Sequence, residues 1–71
     1  MDANDIIIVL ADYLRTFESD NFSVVFSEVD KKLELQSGSA EKHIEDAAKD
    51  AEVTIVRRGS TRISFRRSFP F

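Results

Sequence analysis

The sequence predicts an α+β domain: a four-stranded, mainly antiparallel sheet with two helices on one face, in the order α-β-β-α-β-β. Three observations carry this. Two segments, residues 3–18 and the stretch from Ala40 to Ala51, repeat apolar residues at helical spacing. Four short segments alternate apolar and polar residues as half-buried strands do. Turn-forming clusters at Ser19-Asp20-Asn21, Ser37-Gly38-Ser39 and Gly59-Ser60 separate them.

The opening segment is amphipathic. Ile6, Ile7, Leu10, Tyr13, Leu14 and Phe17 fall within an arc of about 120° at the helical step. Asp5, Asp12 and Arg15 lie on the other side. Asp2 or Asn4 caps the start, and Asp5 suits the positive end of the helix dipole. Ile8 projects from the polar face. It is either an ordinary exposed isoleucine or a contact with another subunit.

Phe22, Val24 and Phe26 then alternate with Ser23, Val25 and Ser27, and Leu33 and Leu35 with Lys32 and Glu34. A turn at Val29-Asp30 would pair Glu28 with Lys31 and Phe26 with Leu33 in a first hairpin. Val29-Asp30 suits a primed turn poorly. A helix through Val25, Val29 and Leu33 is the rival reading.

Ser39 is a candidate N-cap with Glu41 in the first turn of the next helix. Ala40, Ile44, Ala47, Ala48 and Ala51 form its apolar face, small enough to lie close to a sheet. Glu45 and Lys49 make an i,i+4 pair on the wet side. Val53 to Val56 and Arg62 to Phe65 predict a second hairpin around Gly59-Ser60. A two-residue loop would put Val56 opposite Ile63 and leave Val53 and Ile55 on the other face. A register slipped by one gathers Val53, Ile55, Ile63 and Phe65 on one face, so burial favours a longer loop. Arg58, Arg62 and Arg66 then share the solvent face with Thr54, Val56 and Ser64.

Residues 1–71 read as one small domain. Val25, Leu33 and Leu35 correspond to Ile55, Ile63 and Phe65 at an offset of 30, which suggests tandem helix-hairpin units over 3–36 and 39–68. A chain of 71 residues has a small core. It has no cysteine for a disulfide or a thiolate metal site. The longest apolar run, Ile6 to Ala11, is too short to span a bilayer, and Asp2 and Asp5 stand where a secretory signal would be basic. These features predict a cytoplasmic protein with no membrane association and its first methionine retained. The small core, the open sheet edges and Ile8 together point to a homodimer.

Little supports catalysis. His43 is the single histidine, and a helix histidine with Asp46 at i+3 reads as solvated rather than as a catalytic dyad. Glu41/Glu45 and Asp46/Asp50 are i,i+4 acid pairs that read as a wet acidic face, not a metal site. The two glycines, Gly38 and Gly59, form no phosphate cradle. The expectation is therefore a non-enzymatic protein without cofactor or metal.

Charge is the functional signal. Residues 1–52 hold all 13 acids against five bases, a charge of −8, while the last 19 residues hold five arginines and no acid. The net charge of −3 conceals this asymmetry. Arg57, Arg58, Arg62, Arg66 and Arg67 are candidate contacts to an anionic surface, with Ser60, Thr61, Ser64 and Ser68 as added hydroxyl donors. An acidic protein or a second copy of the chain is the favoured partner, because the negative total disfavours non-specific nucleic-acid binding. RNA or DNA, contacted at phosphates by the same hairpin, is the alternative. The terminal Phe69 and Phe71 either pack over the core edge or form a docking peptide.

Overall fold

The computed structural model describes residues 2–67. Six elements follow in order: α1 (Ala3–Arg15), β1 (Asn21–Val25), α2 (Phe26–Lys32), α3 (Ser39–Ala51), β2 (Val53–Arg58) and β3 (Arg62–Arg67). The strands form one antiparallel sheet in the order β1-β3-β2. The predicted four-stranded sheet with two helices is thereby corrected to three strands and three helices. Phe69 and Phe71 lie outside the described residues.

The error lies in the first hairpin. Phe26, Val29, Asp30 and Leu33 sit at i, i+3, i+4 and i+7, so they share one helix face, and the first three are buried. Ser27, Glu28, Lys31 and Lys32 stay exposed. Glu28 in the first turn and Lys31 and Lys32 in the last match the helix dipole. The rejected turn needs positive φ at Val29, which a β-branched residue resists. Leu33 and Leu35 do remain half-buried, but Glu34 between them is left-handed at φ 57°, incompatible with an extended strand. β1 finds its partner far along the chain instead, pairing Phe22 with Phe65 and Val24 with Ile63.

α1 ends at Arg15, earlier than its apolar periodicity suggests. The Thr16 hydroxyl and amide both donate to the Tyr13 carbonyl, at 2.6 and 3.1 Å, closing the last turn. At the other end, Asp2 caps the helix by accepting from the Asp5 amide at 3.0 Å. Phe17 still joins the core through its ring. It stacks on Phe22 with centroids 4.5 Å apart, and Phe22 leans on Phe65 at 5.2 Å.

The core is one layer deep. Leu10, Ala11 and Leu14 of α1 meet Ile44, Ala47, Ala48 and Ala51 of α3, above the sheet residues Val24, Val53, Ile63 and Phe65. α3 packs most extensively on α1 and less on β2. Its alanines therefore serve close approach to a helix more than to a sheet. Arg15 secures that contact by donating to the Asp50 carbonyl at 2.7 Å. Ser39 is not the cap its sequence suggests: Gly38 holds the cap position at φ 91°, and Asp30 supplies the capping carboxylate. Glu45 faces Arg58 rather than Lys49.

Asp30 is the buried charge among the described residues, 6% exposed. Its Oδ1 accepts from the Ala40 amide at 2.8 Å and its Oδ2 from the Gly38 amide at 2.9 Å. Its own carbonyl accepts from the Leu35 amide at 2.8 Å. One residue of α2 thus closes the six-residue connection and caps α3, and the β2–β3 hairpin follows.

Two substitutions test this reading. Asp30→Ala leaves two amides without their acceptor and should cost about 2–3 kcal/mol in urea unfolding; a loss under about 0.5 kcal/mol would refute the clamp. Glu52 ends α3 in a left-handed conformation, φ 60°. Glu52→Gly should therefore stabilise the fold by roughly 0.5–1 kcal/mol, visible as a higher Tm.

Candidate anion-binding face

The sheet has a covered face and a bare one. Phe22, Val24, Val53, Ile55, Ile63 and Phe65 point toward the helices. The alternate residues Asn21, Ser23 and Val25 of β1 and Arg62, Ser64 and Arg66 of β3 point outward. Cross-strand pairs set Asn21 beside Arg66, Ser23 beside Ser64 and Val25 beside Arg62. No described helix covers this side.

A β-bulge decides which arginines of β2 join it. Ile55 pairs with Phe65, yet Arg57 pairs with the next residue, Ser64, so Val56 is the extra residue. After the bulge Arg57 shares the outer face with Ser64, and Arg58 falls opposite Ile63 on the helix side. The apolar residues still gather on one face, as burial demands, but Arg57 replaces Arg58 in the outer set. Residues 59–61 join the two strands, and the bulged register tightens the tip to Ser60-Thr61 instead of the longer loop expected without a bulge. There the Gly59 amide donates to the Arg62 carbonyl at 2.8 Å, and a Cβ on Gly59 would approach that oxygen to 3.1 Å.

The five arginines therefore divide by role. Arg67 is structural: its guanidinium donates to the Phe17 carbonyl and lies 5.6 Å over the Phe22 ring. Its amide also donates to the Asp20 carbonyl at 2.7 Å. Arg58 turns to α3, 3.7 Å from the Glu45 carboxylate and 5.5 Å over the Phe26 ring. It also reaches the Glu41 carbonyl at 3.4 Å. Arg57, Arg62 and Arg66 have no hydrogen bond or ion pair from their side chains among the described residues.

Arg57 and Arg62 flank one shallow hollow at the hairpin tip, whose walls also include Ser60, Thr61 and Ser64. Two forked cations with three hydroxyls and no carboxylate make a surface suited to phosphate oxygens. Arg66 extends the cationic surface along β3 toward Asn21. The bulge that sorts these residues has no signature in the sequence.

Elsewhere the acids dominate. α3 exposes Glu41, Glu45, Asp46 and Asp50 against Lys42 and Lys49. His43 is half-buried within α3. No group of three or more potential metal ligands converges among the described residues. No described helix is long and apolar enough to cross a membrane. No family model matches the chain, no curated protein matches it in sequence, and no solved structure matches it in fold.

Two arginines separate these roles. Arg67→Ala removes a carbonyl bond and a ring contact and should cost roughly 1–2 kcal/mol of unfolding free energy. Arg57→Ala should stay within about 0.5 kcal/mol of the parent. Equal losses from the two would contradict the division.

Proposed function

We propose that the protein is a non-enzymatic binding module that engages duplex nucleic acid through the phosphate backbone, using the hairpin tip and the bare sheet face. The observation that carries this reading is the set of Arg57, Arg62 and Arg66, unpaired within the described chain and interleaved with the hydroxyls of Ser23 and Ser64. Guanidinium groups meet phosphate in a bidentate fork, and serine hydroxyls add donors at the same oxygens.

α3 is poorly suited to meet phosphate, since its exposed acids outnumber its lysines. The hairpin therefore carries the contact, while Arg58 lies between it and the carboxylate of Glu45. Of the outward residues of β1 and β3, Asn21, Ser23, Arg62, Ser64 and Arg66 are polar or charged donors of the kind that meet a phosphate backbone, which a duplex presents along its length.

Such contacts position without reading sequence. With a net charge of −3 on the molecule, attraction stays local and falls quickly with salt. An acidic protein surface is the second reading, favoured by one observation: Val56 stands exposed on the same cationic face.

Fluorescence anisotropy with labelled duplex DNA tests the first reading. Binding should be measurable at low salt and weaken steeply as salt rises. Each of Arg57→Ala, Arg62→Ala and Arg66→Ala should reduce the slope of log affinity against log salt by about 0.9. Arg58→Ala should leave the slope unchanged. No binding at low salt, or a triple variant that binds like the parent, would remove the proposal.

A further inference from the structure

Two large hydrophobic residues are prominently exposed among the described residues, Ile8 at 54% and Val56 at 59%. They lie on opposite sides of the core, in fields of opposite sign. Ile8 borders a hollow between α1 and α3 with Asn4, Ile7, Asp46, Lys49 and Asp50. Asp5 is exposed beside it on α1, and Asp12 one turn on is already paired with Arg15 at 2.8 Å. The charges left around Ile8 are then Asp5, Asp46 and Asp50 against Lys49. Val56 borders a hollow on the sheet with Asn21, Ser23 and Ser64, and its chain neighbour Arg57 faces the same side. The charges on the same sheet face are Arg57 next in the chain, and Arg62 and Arg66 two residues either side of Ser64 on β3.

We infer that a second copy of this chain docks its Ile8-centred acidic face onto the Val56-centred arginine face. Neither face is complementary to itself: laid on its own image, each would bring like charges together. Each is complementary to the other, with an apolar centre and a rim of opposite charge, the arrangement that interfaces use for hydrophobic contact inside a polar border. Because α1 and α3 cover the inner side of the sheet, the two faces point away from each other. The contact is therefore heterologous, head to tail. One copy's free acidic face is left for the next, so assembly continues past the dimer unless the rotation closes a ring.

The interface is a weak one. A standard interface covers about 800 Å² per partner, about a sixth of the 4919 Å² that the chain exposes. Two single apolar anchors with charged rims give a salt-sensitive contact that needs high protein concentration. It uses the arginines that phosphate would also use, so the two partners exclude each other. The self-contact itself requires no nucleic acid, and its test contains none.

Sedimentation equilibrium of the full chain at low salt, over a concentration series, tests it. The weight-average mass should rise above 8.1 kDa and pass that of a dimer, then fall back when salt is added. Ile8→Lys and Val56→Glu should each stay monomeric, with circular dichroism melts showing that both remain folded. Asp46→Lys keeps Ile8 and should still weaken assembly at least several-fold. Ile8→Lys mixed with Val56→Glu leaves each molecule one working face, so the mixture should form a dimer and stop there. A parent chain that stays monomeric throughout, an Ile8→Lys chain that assembles like the parent, or a mixture that remains monomeric would overturn the inference.

Discussion

The carboxylate of Asp30 is the constraint on which the arrangement depends. Its two oxygens each hold a backbone amide at the start of α3, while the residue itself belongs to α2. Burying a carboxylate costs free energy unless its lone pairs are met, and here both oxygens are engaged by amides at the positive end of a helix. Because of it, the start of α3 is tied to α2. β2 follows α3 after a single residue, Glu52, so the position of α3 also fixes where the hairpin begins. The same bonds occupy the N-terminus of α3, leaving the anion-binding surface to the hairpin.

The second constraint is the bulge at Val56. Without it the pairing of Ile55 with Phe65 would run on to set Val56 opposite Ser64 and Arg57 opposite Ile63, turning Arg57 to the helix side. One extra residue leaves Val53, Ile55, Ile63 and Phe65 on the covered face and sorts the arginines. Arg58 turns inward to α3, and Arg57 outward to join Arg62 and Arg66. Arg67 anchors the far end of β3 to the chain between α1 and β1. The bulge thus sets the charge display without disturbing the core pairing of Ile55 with Phe65.

The amphipathic stripes of α1 and α3 were legible because their apolar residues repeat without interruption at the helical period. Leu10, Leu14, Ile44 and Ala47 all lie in the core. Residues 26–35 were not legible. Phe26, Val29 and Leu33 fit a helix face, while Phe26, Leu33 and Leu35 fit alternating strands, and seven residues are too few for either period to dominate. Tertiary structure settled it, since β1 pairs with β3 across some forty residues, and no local pattern reports such a partner. Asp30 had the look of a turn residue for the same reason. Its i+4 distance from Phe26 places it on the helix's buried face, and that was the available clue. The concentration of arginine near the end of the chain was plain in the sequence, whereas its division among outward, inward and structural roles depended on a bulge.

The central claim is that an anionic duplex meets the hairpin and the bare sheet face and not α3. Amide-resolved NMR titration with duplex DNA at low salt reads this directly. The account predicts shift changes clustered at Ser23, Arg57, Ser60, Thr61, Arg62, Ser64 and Arg66, with the amides of Glu41 to Asp50 unmoved. Changes centred on α3, with the outer strand residues silent, would contradict it.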